Sequence, residues 1–190
     1  MNRMLPRLAA FFLMLAPFVT SAQQSDPRVA LDEYAAVYEL AQTTATIKSV
    51  YDLNRLMQNP AVGPLRYLSR PAQLRFARSL TFNDRGVTGF SYQDIERELS
   101  ASQAFELLAS IGQQQFLPRL DGLRVESELD EMLLEGRVPG IRAGGKCLMP
   151  SLPVINGHSE ATCDGFLKDY RCTGPGNCAA ALQNACTSNC

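Results

Sequence analysis

The chain holds one histidine, His158, and no cysteine among its first 146 residues. A single histidine cannot build a multi-histidine metal centre, and any serine–histidine–aspartate arrangement would have to use it. No GxSxG elbow, HExxH, P-loop or GxGxxG occurs. Serine-hydrolase, zinc-protease and nucleotide-binding readings therefore have no motif to rest on. There is no CxxC pair either, so the common zinc spacing and the oxidoreductase motif are both missing. Beyond residue 22 no apolar run approaches the roughly 20 residues that a spanning helix needs. An excess of positive charge is lacking too: 18 Lys and Arg stand against 19 Asp and Glu, unlike the strongly basic face of a nucleic-acid binder.

What is present starts with MNRMLPRLAAFFLMLAPFVTSAQQ. Arg3 and Arg7 precede an apolar run from Leu8 to Val19, and Thr20-Ser21-Ala22 supplies small residues. Those are the three parts of a secretory signal peptide, with cleavage predicted after Ala22. The remaining chain, residues 23–190, has a net charge of −3. It is expected to be periplasmic or secreted, with no membrane span and no nucleic-acid partner.

Helical signals dominate residues 23–136. Ser25, Asp26 and Pro27 suit a helix start, and a stripe runs through Ala30, Tyr34, Val37, Tyr38 and Ala41. After Thr43, Thr44 and Thr46 the stripe continues in Ile47, Val50, Tyr51, Asn54 and Met57, broadened by Leu53 and Leu56, predicting two helices or one bent helix up to Asn59-Pro60. Ser69 opens a short helix to about Arg78, with Leu74, Phe76 and Ala77 expected inward. SLTF-NDRG-VTGF predicts a β-hairpin turning at Gly86. Ser91 and Asp94 suggest a capped helix to about Leu99, Ser102 another with Phe105, Leu108 and Ala109 inward, and Ser127–Leu134 a last one. From Arg137 onward glycine and proline take over without a period. The predicted fold is mainly α: a helical bundle-like body with one small β-hairpin, followed by an irregular disulfide-rich C-terminal tail at 137–190.

All six cysteines, Cys147, Cys163, Cys172, Cys178, Cys186 and Cys190, fall in that tail. An even count on an exported chain predicts three disulfides, each worth roughly 2–4 kcal/mol to a segment too poor in apolar residues to build its own core. Fifteen pairings are open by sequence. Asn177 suggests the cap of an alanine-rich helix from Cys178 to Cys186.

Candidate chemistry is sparse. His158 lies in Asn156-Gly157-His158-Ser159-Glu160, where a solvated loop residue is the expectation and a catalytic role the alternative. In GLRVESELD, Glu126 and Ser127 stand at a predicted helix start. Over about nine residues this resembles the Glu-Ser motif of lytic transglycosylases, and the resemblance implies that Glu126 is a general acid/base. The glycine-rich Gln-Met segment of that family is absent downstream. Helix-start acids, favoured by the helix dipole, explain Glu126, Glu128 and Asp130 without it. Between Asp52 and Asp84 there is no acid, whereas Arg55, Arg66, Arg70, Arg75 and Arg78 occur. Arg66, Arg70, Arg75 and Arg78 could form a basic face for an envelope polymer or a protein partner, or simply pair with the acids of residues 94–135. The expectation is a non-catalytic binding protein without cofactor or metal. A small envelope hydrolase centred on Glu126 or His158 is the alternative.

Overall fold

The computed structural model describes residues 39–137 and 166–190. The signal segment, Cys147, Cys163 and His158 lie outside the described residues.

A helical stretch at 39–44 ends in a break, and helix α1 (Val50–Gln58) restarts at Ser49, whose hydroxyl accepts from the Asp52 N–H. Of the two expected arrangements, two helices or one bent helix, the break gives two helices here. The core side of α1 is Leu53 with Leu56 and Met57, the broadened part of the expected stripe. Val50 and Tyr51 of the expected stripe are exposed. A 3-10 turn at Pro64–Tyr67 leads into α2 (Arg70–Ser79), which buries Ala72, Gln73 and Phe76. The Gln73 amide donates to the Leu65 and Leu68 carbonyls at 3.0 Å each, closing the open end of that turn.

Strands β1 (Thr81–Asn83) and β2 (Gly86–Ser91) form the expected hairpin, with Gly86 at φ +121°. Next come α3 (Gln93–Glu98), α4 (Ala101–Ser110), a 3-10 helix at Gln114–Arg119 and α5 (Glu128–Leu134). Two caps differ from expectation. α3 has no side-chain cap: its N-cap position is Tyr92 and not Ser91, and Asp94 is engaged by Arg75. α4 is capped by Ser100, not Ser102, in a reciprocal box with Gln103. Asp130, in the first turn of α5, is 1% exposed and accepts from the Ser102 and Glu126 N–H groups and the Ser127 hydroxyl. One carboxylate thus joins the starts of two helices.

The mainly helical reading is overturned at the carboxyl end. Residues of the supposed irregular tail form a second hairpin, β3 (Leu167–Gly174) and β4 (Asn177–Cys186). It adds to the first in a four-stranded antiparallel sheet of order β1-β2-β4-β3. The fold is mixed α/β, about 47% helix and 23% strand among the described residues. The alanine-rich run Cys178–Cys186, expected as a helix, is therefore a strand. Helix propensity is a weak prior, and here pairing on both edges outweighs it.

The register sets Gly89 against Cys186, Phe90 against Ala185 and Ser91 against Asn184. Gly89 permits this approach: a Cβ there would stand 3.0 Å from the Ala185 carbonyl oxygen and 3.2 Å from the Thr81 hydroxyl. After β4 the chain clasps the first hairpin. Thr187 bonds Val87 and Thr88, and the Asn189 carbonyl accepts from Asn83 and Arg85. Phe76, Phe90, Phe116 and Phe166, each no more than 1% exposed, run through the core. Successive ring centroids are 6.5, 5.3 and 5.4 Å apart. Phe166, just before β3, therefore shares the core of the helical body.

Candidate functional site

The most irregular backbone among the described strands lies between β3 and β4. Lys168 faces Ala185, yet the next pair is Tyr170 with Ala180. Asp169 alone therefore stands opposite Ala181, Leu182, Gln183 and Asn184, which bulge away from β3 while Asn184 keeps its place opposite Ser91 of β2. Two non-glycine residues take left-handed φ here, Asp169 at 65° and Gln183 at 59°. Aspartate tolerates that region, whereas for glutamine it costs energy that neighbouring bonds must offset.

Those bonds are present. The Asp169 carboxylate accepts from the Gln183 N–H at 2.8 Å and from the Tyr92 hydroxyl at 2.6 Å. The Gln183 carbonyl accepts from the Tyr92 N–H and the Ser91 hydroxyl, each at 3.0 Å. Both polar groups of the strained peptide are thus held. Burial, with the bond to Asp169, pushes the Tyr92 phenol well above its ordinary range. The Tyr92 hydroxyl holds the Asp169 carboxyl below its ordinary value, with the Gln183 N–H and the Lys168 charge assisting against burial. Beside it, Lys168 donates to the Arg119 carbonyl at 2.7 Å and to Asp121 at 2.5 Å. Its ammonium also lies 5.2 Å from the Tyr92 ring centroid.

Two disulfides flank this bulge. Cys178–Cys186 spans it with a Cα separation of 6.2 Å, and Cys172–Cys190 ties β3 to the turn after β4 at 5.7 Å. Four of the six cysteines are accordingly cross-linked as the composition predicts. What the bulge presents is Leu182, 83% exposed. A braced backbone thus holds one apolar side chain out to solvent.

Compared with known proteins, the chain matches no protein-family model, no curated protein and no solved structure.

The sequence candidates do not gather here. Arg66 stacks over the Tyr67 ring, donates to its hydroxyl and reaches Glu106 at 3.4 Å. Arg70 donates to Gln73, and Arg75 grips Asp94 with two bonds of 3.0 and 2.8 Å. Arg78 is exposed on α2. Glu126 is half exposed and lies 3.0 Å from Arg124. Sequence reasoning missed Tyr92, Asp169, Leu182 and Gln183. Only Gly174-Pro175-Gly176, a turn signal that closes the β3–β4 hairpin, could have pointed there.

Proposed function

We infer that this is an exported, non-catalytic interaction protein whose recognition element is the bulge at residues 181–184. The observation that carries this reading is Leu182, held out to solvent on a backbone pinned by Asp169, Tyr92 and Ser91 and spanned by Cys178–Cys186. A loop already fixed in its bound shape loses little entropy on association, so a small apolar contact can be specific. Its complement is an apolar pocket on a protein partner. Disulfides are compatible with an oxidising compartment outside the cytoplasm. Among the described residues no helix is long and apolar enough to cross a membrane. The glycan-cleaving alternative has less support, since Glu126 is solvent-facing and ion-paired to Arg124, unlike the enclosed proton donor that such chemistry uses.

Immobilised protein exposed to envelope and culture-medium fractions tests this. Wild type and Glu126→Gln should retain the same partner, and Leu182→Asp should lose it. Leu182→Asp should keep its unfolding midpoint, because an exposed side chain contributes within about 0.5 kcal/mol. A Leu182→Asp protein that retains the partner would sink the reading.

A further inference from the structure

The sulfurs of Cys172, Cys186 and Cys190 all lie within 4.8 Å of one another, although they belong to two different disulfides. In the same sheet Cys172 stands directly opposite Cys178 across the β3–β4 ladder. Opposed residues of an antiparallel pair are about 4.5–5.5 Å apart at Cα, within the separation a disulfide accepts. Four cysteines therefore have two complete pairings in reach. One is the observed set; the other joins Cys172 to Cys178 and Cys186 to Cys190. The geometry points to a thiol–disulfide exchange site at this end of the sheet, which interconverts the two pairings with a small thiol as co-reactant.

Each step balances. Cys172 and Cys178 are partly exposed while Cys186 and Cys190 are buried, so an incoming thiolate meets Cys172 or Cys178 first. Attack on Cys172 forms a mixed disulfide there and expels Cys190 as a thiolate. Cys190 attacks the neighbouring Cys186 sulfur, forms Cys186–Cys190 and releases the Cys178 thiolate. Cys178 then attacks the mixed disulfide across the ladder, forms Cys172–Cys178 and returns the incoming thiol. One S–S bond forms as each one breaks, and no net oxidation or reduction occurs. Entry at Cys178 reaches the same products in the mirrored order. The consequence is conformational: the alternative pairing leaves no bond spanning residues 181–184. The exchange stands whether or not that bulge is the recognition element.

A cut between Leu182 and Gln183 separates the two pairings. In the observed set both disulfides cross that cut; in the alternative neither does. Purified oxidised protein is incubated with substoichiometric glutathione, then quenched and digested with pepsin in acid, where thiolates are protonated and exchange stops. Untreated protein should keep the two cysteine peptides joined. Treated protein should release them as separate peptides, each with an internal disulfide. Peptides that stay joined after treatment, or that part only as free thiols, overturn the proposal. In Cys172→Ser the Cys190 thiolate should displace Cys178 from Cys186, so alkylation should label Cys178. Label on Cys190 instead would equally overturn it.

Discussion

Gln113 and Gln115 are buried, and neither end of either amide has a hydrogen-bond partner among the described residues. An unsatisfied buried amide costs about 1–3 kcal/mol. Gln73 shows the contrast, since its burial is matched by two carbonyl bonds. Gln113→Met keeps the volume and removes the polar atoms. It should raise stability by about 1–3 kcal/mol, read as a higher denaturant midpoint with an unchanged slope. A lower midpoint would show that the amide contributes to the fold. Such residues are hard to read in advance. Gln113-Gln114-Gln115 has the look of a polar loop, and only the 3-10 helix that carries Phe116 and Leu117 inward draws in Gln115, with Gln113 at its cap. The helix-start acids were legible as a group. Their division of labour was not: Asp130 turns inward to join two helices, and Glu126 stays outside with Arg124.

Strand β2 meets β4 through Gly89, where an added methyl would press on backbone that cannot move without parting the strands. Gly89→Ala should therefore destabilise by about 1–3 kcal/mol. The loss should appear as faster amide exchange at Phe90 and Ala185 before that of the helices. Uniform exchange throughout would contradict a local effect. The β1–β2 hairpin was legible because its turn and its strands lie in one short window. Strand β4 was not, because CAAALQNAC carries helix-forming alanines and no alternation. Its strand conformation comes from partners elsewhere: Ser91 and Phe90 on one edge, β3 on the other. An isolated helix of that length would be marginal in water, and two ladders plus a disulfide outweigh it.

Across the whole molecule, two carboxylates hold separate elements together. Burial alone would raise the Asp130 carboxyl, but its bonds from Glu126, Ser102 and Ser127 hold it below the ordinary value of 3.8. Asp169 is likewise lowered, first by Tyr92. Unfolding lifts both towards 3.8, so the unfolded chain binds more protons in the window beneath that value. Their stabilisation is complete above it and falls away as the pH drops through the folded values. Thermal midpoints should decline over that acid range, and less steeply in Asp130→Asn; an identical slope in the variant would exclude the assignment. Cross-linking of the late cysteines was legible as composition. The class of fold was not, since it turns on where a late segment docks. That docking has a cost in time. Ser91 bonds Gln183, 92 residues further along, and β4 sits between β2 and β3 in the sheet. Until residues 184–186 are in place, β2 keeps a bare edge, open to any extended chain nearby. Assembly thus waits on a distant contact, and contacts of that span form slowly. The danger for this protein lies before folding is complete, when its unpaired edge can recruit another copy.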